Sequence, residues 1–283
     1  MYKLKSILLY LTFFTLTLQP LFASDVDTVK IFSKAMQKDI PTVIITPEGY
    51  KQSKSIYPVI YLLHGYSDSY AGWTTKANVV PDLSDRHQVV VVMPDGGYNS
   101  WYIDSPIDPN SQYETHIASE VVAYVDQNYR TYRQKEGRAI TGLSMGGHGG
   151  LFLGIRHQDT FGAAGSMSGG VDLTYNVDSW ELAKKLGVYS QNPDVWDSLS
   201  VVNMIDKIKP GELKIIVDCG VDDFFFDINK NLHAKLLESD IPHDYIVRPG
   251  RHNWGYWNNA VQYQFLFFGN YFKEFLKQQK ASL

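Results

Sequence analysis

One short stretch concentrates the residues that could do chemistry. Thr141 to Gly150 reads TGLSMGGHGG, and Gly142-Leu143-Ser144-Met145-Gly146 within it matches G-x-S-x-G. Arg138–Thr141 before it reads as a short strand, and the residues after it as a helix. A serine at the tip of a strand–turn–helix is a nucleophile elbow, where a sharply folded backbone presents the hydroxyl. Side chains two before and two after the serine would collide in such a turn, so glycine at 142 and 146 answers a steric demand. A phosphate-binding loop is excluded by chemistry: no Lys-Ser or Lys-Thr follows the glycines.

A serine hydroxyl needs a base to become a useful nucleophile. In the fold that carries this elbow, the acid and then the histidine follow the serine in chain order. Downstream, His252 lies in RPGRHNWGYW, just after the strand candidate Asp244–Arg248. His148, His157, His233 and His243 are worse placed, on helices or at the opposite end of that strand. For the acid, CGVDDFFFD follows the strand candidate Leu213–Asp218 and offers Asp222, Asp223 and Asp227. Asp223, beyond the turn allowed by Gly220, is preferred; Asp222 is second, and Asp172 is a distant alternative. Such an acid orients the imidazole and stabilises its cation. Developing negative charge needs two N–H donors. Met145 N–H follows the serine, and Tyr66 N–H, in the HGYSDSYAGW loop, is the second candidate. Ser67 in that loop lacks the final glycine of the motif and is not read as a nucleophile.

These residues require a scaffold that brings several strand ends together. The strand candidates are 42–46, 58–63, 89–93, 138–141, 162–167, 213–218 and 244–248. VIYLL, VVVVM and LKIIV among them are continuous apolar runs. Such runs suit strands covered on both faces. Helical patterns alternate with them at 113–129, from Asp178 to Gly187 with Glu181 as a capping-box partner, at 231–239 and at 260–277. The alternation predicts a mostly parallel, doubly wound α/β sheet with helices on both faces. Residues 171–212, with Trp180, Tyr189 and Trp196, exceed an ordinary connection. They read either as a partly helical insertion at the mouth of the site or as a plain surface excursion.

The chain has 283 residues, 44% of them hydrophobic, enough to bury the core of one large domain. A net charge of −4 without a basic stripe argues against a nucleic-acid partner. Residues 1–23 combine Lys3 and Lys5, an apolar run from Ile7 to Leu18, and Leu21-Phe22-Ala23, which approximates a small-residue cleavage site although Leu21 is larger than ideal. This is the pattern of a cleaved secretory signal, and the run is short for a membrane span. The mature chain, 24–283, is expected to be exported and to retain no span. Cys219 is the only cysteine, so there is neither an internal disulfide nor a cysteine-rich metal site. Export without disulfides fits a bacterial periplasm or medium.

YLLHGYSDSYAGW, MPDGGYNSWYID, TGLSMGGHGG, CGVDDFFFD and GRHNWGYW together resemble the putative-esterase family of α/β hydrolases. That family includes feruloyl, acetyl and tributyrin esterases, S-formylglutathione hydrolases and mycolyltransferases. The resemblance spans most of the mature chain. It implies the α/β-hydrolase fold, a Ser144–Asp223–His252 triad, and Tyr66 and Met145 as oxyanion donors. It also implies ester hydrolysis through an acyl-enzyme, with no cofactor and no metal. The export signal speaks against the cytosolic S-formylglutathione hydrolases. Aromatic residues make up 14% of the chain. Trp73, Trp101, Trp254 and Trp257 are expected as substrate contacts, with Tyr98, Tyr102 and Tyr256 nearby, and aromatic faces of this kind suit sugars or a feruloyl ring. A carbohydrate-linked acetyl or feruloyl ester is therefore the expected substrate. Acyl transfer by the same triad and an inactive glycan-binding domain are the alternatives.

Overall fold

The structure is a computed structural model that describes residues 24–281. The expected signal at 1–23 lies outside the described residues. Eight strands form one sheet: β1 (Asp25–Ser33), β2 (Lys38–Thr46), β3 (Val59–Leu63), β4 (Val90–Pro94), β5 (Arg138–Gly142), β6 (Ala163–Met167), β7 (Lys214–Gly220) and β8 (His243–Arg248). Their order is β1-β2-β4-β3-β5-β6-β7-β8. β1, β2 and β4 pair antiparallel, and the pairs from β4 through β3 to β8 are parallel.

The central strands alternate their side chains between two apolar layers, the period-two geometry of a sheet covered on both faces. Val59, Tyr61 and Leu63 of β3 face one core with Leu151, Phe152 and Leu232. Ile60 and Leu62 face the other with Val80 and Phe265. Phe265, Phe268 and Phe272 of the C-terminal helix Trp254–Ala281 fall on one stripe and are buried. Burying each such ring contributes about 1.5–3 kcal/mol, which holds this helix across the sheet.

Three local expectations change. β1 was not foreseen: DVDTVKIFS is an edge strand with Val26 and Phe32 half exposed, and it lacks the apolar run that marks a central strand. The helix expected from Asp178 is confined to Ala183–Leu186. Trp180 and Glu181 both have φ of 55°, a left-handed backbone that no helix start adopts. Glu181 binds Asn99 and Lys184 in place of a capping box, while Gly187, at φ 78°, does end the helix. The helices read at 231–239 and 260–277 begin earlier, as Phe226–Glu238 and Trp254–Ala281.

The connection from β3 leads to β4 on one side, and the chain then returns to place β5 on the other side of β3. In open α/β sheets the crevice beyond the strand ends at such a reversal is the binding position. The segments after β3, β5, β7 and β8 all open towards it.

Candidate active site

Ser144 follows β5 and precedes the helix Met145–Arg156. Its backbone sits at φ 55° and ψ −115°, a strained conformation for a residue with a side chain. The surroundings hold it there. Ser144 N–H donates to Met167 O at 2.9 Å, and Ser144 O accepts from Gly147 and His148 N–H, each at 3.0 Å. The glycines expected to relieve crowding stand against backbone. A Cβ at Gly142 would lie 2.6 Å from Gly146 O and from Leu63 O. A Cβ at Gly146 would lie 2.6 Å from His64 O and Leu63 O. The end of β3 is thus pressed against the elbow, which brings the 64–66 loop beside the serine.

His252 Nε2 lies 2.9 Å from Ser144 Oγ. Its Nδ1 lies 3.0 Å from each carboxylate oxygen of Asp223. The Asp223 side chain is fully buried, and its Oδ1 also accepts Phe225 N–H at 2.9 Å. The turn carrying Asp223 and the loop carrying His252 cross without room for a side chain: a Cβ at Gly220 would lie 2.4 Å from Gly250 O. Asp222 N–H donates to that same Gly250 O at 2.9 Å. Below them, the buried Asp218 carboxylate accepts from Arg248 and from the Tyr256 hydroxyl. Tyr256 in turn packs where a Gly250 Cβ would be, 2.2 Å from its ring.

The competing residues are engaged elsewhere. Asp222 and Asp227 are exposed, and Asp172 binds Thr174. His157 pairs with Glu114, and His233 with His243. His148 is fully buried, with ring nitrogens 3.0 Å from Trp101 O and from Leu199 O.

Met145 N–H and Tyr66 N–H are the two proposed oxyanion donors, and neither donates to a protein acceptor among the described residues. A Cβ on Gly65 would lie 2.6 Å from Leu143 Cδ1 and 3.5 Å from Ser144 Cβ, so Tyr66 follows directly on a segment packed against the elbow. His64 fixes this loop. Its Nε2 accepts Gly96 N–H at 2.8 Å, which makes Nδ1 the donor to Gly65 O at 2.8 Å. Burial holds its pKa below the usual imidazole value, in keeping with the neutral tautomer these bonds require.

The cleft above Ser144 has a volume of about 250 Å³ and includes Tyr66, His252, Trp254 and Trp257 in its lining. Trp254 and Trp257 therefore stand where substrate contacts were expected. Trp73 and Trp101 do not. Trp73 is fully buried, donates its indole N–H to Leu63 O at 3.0 Å and props Trp254 edge-on. Trp101 is buried at φ 55° beneath Trp180 and against His148. Both are large rings followed by tight packing, which sinks them under the rim they were expected to form.

Three lining residues escaped sequence reasoning: Asp68, Lys76 and Phe224. Phe224 adjoins Asp223, and an apolar residue next to a candidate acid is a usable signal. Trp180, at φ 55°, also lines the cleft; it comes from the 171–212 segment, read from sequence either as an insertion at the mouth of the site or as a surface excursion. A second groove, about 330 Å³ between β8 and the C-terminal helix, includes Asp244 and Tyr263 but none of the triad candidates. Among the described residues no cluster suits a metal ion, and no helix is long and apolar enough to cross a membrane.

Comparisons with known proteins agree on one family. The family described as "Putative esterase" matches residues 33–268. An esterase of Mycobacterium tuberculosis (strain ATCC 25618 / H37Rv) is 28% identical over 236 residues, covering 74% of this chain and 51% of that protein. The chain thus spans about half the length of this mycobacterial relative. An acetyl esterase of Caldicellulosiruptor saccharolyticus is 25% identical over 255 residues, covering 82% of this chain and 94% of that one. A solved ferulic acid esterase superposes with a TM-score of 0.78 at 29% identity, covering 89% of this chain and 99% of that one.

Proposed function

The chain belongs to the putative-esterase family, and from that premise we propose that it is a serine ester hydrolase acting through Ser144, His252 and Asp223. The observation that carries the reading is the unbroken relay from Ser144 Oγ through His252 to buried Asp223, at 2.9 and 3.0 Å. His252 Nε2 takes the Ser144 proton as Oγ attacks the ester carbonyl carbon. The carbonyl oxygen becomes an oxyanion that accepts from Tyr66 and Met145 N–H, each worth about 3 kcal/mol of barrier. Collapse breaks the bond to the alcohol oxygen, which leaves with the proton from His252. Water then repeats the sequence on the acyl-enzyme and releases the acid. Asp223 holds the imidazole in the tautomer with its proton on Nδ1.

The proposed substrate is an acetyl or feruloyl ester linked to carbohydrate. The named activities of the acetyl esterase and ferulic acid esterase relatives support this, together with the aromatic lining of the cleft. The composition of residues 1–23 supports export, to a bacterial periplasm or medium. Hydrolysis of a panel of acetyl, butyryl and feruloyl esters by the wild type and by Ser144→Ala is the test. Activity that survives the substitution would refute the triad.

A further inference from the structure

The cleft has two walls of opposite character, and both touch His252. On one side Phe224 lies against the imidazole at 4.2 Å and is itself nearly parallel to Trp180, at 6.2 Å and 18°. That wall is carbon surface. On the other side Trp257 meets His252 edge-on at 4.9 Å, and Trp254 meets Trp257 at 5.5 Å. Lys76 Nζ stands 5.4 Å over the Trp254 ring and pairs with Asp68 at 2.9 Å. This second wall ends in an ion pair within the same cleft as Ser144.

Asp68 is set in place before any ligand arrives. Its side chain is 13% exposed, its Oδ1 accepts Ser69 N–H at 2.9 Å, and Gly72 leaves it room, since a Cβ there would lie 2.6 Å from both carboxylate oxygens. It is two residues from the oxyanion donor Tyr66. The Lys76 side chain is 45% exposed and keeps donor capacity beyond the one bond to Asp68.

Resting on the esterase reading, we propose that the Asp68–Lys76 pair and the Trp254 face form the subsite for a polyhydroxylated, sugar-like alcohol moiety, while Trp180 and Phe224 receive the acyl group. The leaving oxygen takes its proton from His252, so the alcohol part must lie against one of these two walls. Vicinal hydroxyls would lose hydrogen bonds against Phe224 and Trp180. Against the pair, one hydroxyl donates to the Asp68 carboxylate and its neighbour accepts from Lys76, with a C–H face over tryptophan. Once its carbonyl oxygen is bound, an acetyl group brings only a methyl, and a feruloyl group brings a planar ring whose face stacks on Phe224 and Trp180 while its hydroxyl and methoxy oxygens stay at one edge.

The experiment holds the acyl group constant and changes the alcohol: feruloyl-arabinose against methyl ferulate, and an acetylated methyl xyloside against ethyl acetate. The readout is the ratio of kcat/KM for the sugar ester to that for the simple ester. Lys76→Met keeps the aliphatic stem over Trp254 and removes the donors. It is expected to lower this ratio about tenfold in both acyl series, and Asp68→Asn should lower it in the same direction. An unchanged ratio, or a loss that follows the acyl group and not the alcohol, overturns the assignment. A wild type that cleaves none of the four esters overturns the esterase reading and the subsite with it. Wild-type turnover with an unmoved ratio overturns the subsite alone.

Discussion

Acidification should destabilise the protein through one buried residue, His148. It sits in the first turn of the elbow helix, fully buried, stacked on Phe152 at 5.3 Å. Both ring nitrogens face carbonyl oxygens, yet a neutral imidazole has one N–H to give. A cation would satisfy both carbonyls, at the cost of an unpaired charge in the core. Burial wins over the hydrogen bonds to Leu199 and Trp101 and pushes the pKa down to about 4. The folded protein then holds this proton less tightly than the unfolded chain, whose histidine titrates near 6.5. The contribution to stability is complete above about pH 6.5 and is lost as pH falls towards about 4. At about 1.4 kcal/mol per pH unit, the loss is about 3 kcal/mol. The assay is urea unfolding of the wild type and His148→Gln at pH 7 and pH 4. Taking the difference between the two proteins removes the other groups that titrate in this range. The stability advantage of the wild type should shrink by about 3 kcal/mol on going to pH 4. An advantage that stays level or grows would mean that His148 is a cation in the fold, and the reasoning from burial would be refuted. Histidine ¹⁵N shifts on the wild type read the same protonation directly if the variant does not fold.

Other outcomes follow from the same geometry. Ser144→Ala should lower kcat by about 10⁴-fold or more, measured on an aryl acetate, with near-UV circular dichroism unchanged. Gly146→Ala forces a methyl group within 2.6 Å of two backbone carbonyl oxygens; a loss of about 3 kcal/mol or more in urea unfolding is expected. Asp218→Asn keeps the shape of the buried acceptor but loses the ion pair with Arg248. It should lower kcat more than it raises KM, because Tyr256 would hold the His252 loop less firmly, and a kcat equal to wild type would count against that positioning role. Trp101→Ala should act on stability, costing about 3–5 kcal/mol by thermal or urea unfolding, since the ring lies beneath the cleft and not on it.

The sequence by itself determined the sheet's central strands and the strand–turn–helix around Ser144, and it pointed to the proposed acid and base, Asp223 and His252, at the ends of later strands. These are legible because each rests on a local signal. Apolar runs mark strands buried on both faces, Gly142 and Gly146 mark a turn with no room for side chains, and Asp223 and His252 follow strand candidates directly. β1 lacked such a signal because an edge strand needs only one buried face. Tertiary structure decided which side chains form the cleft. Trp73 and Trp101 look like rim residues from their loops, yet neighbouring backbone and rings bury them. Trp180 and the Asp68–Lys76 pair share a cleft with Ser144 only because the 171–212 segment and the loop after β3 fold over the same strand ends. Local sequence encodes how the backbone turns; which surfaces then meet depends on packing between segments far apart in the chain, and no short stretch carries that information.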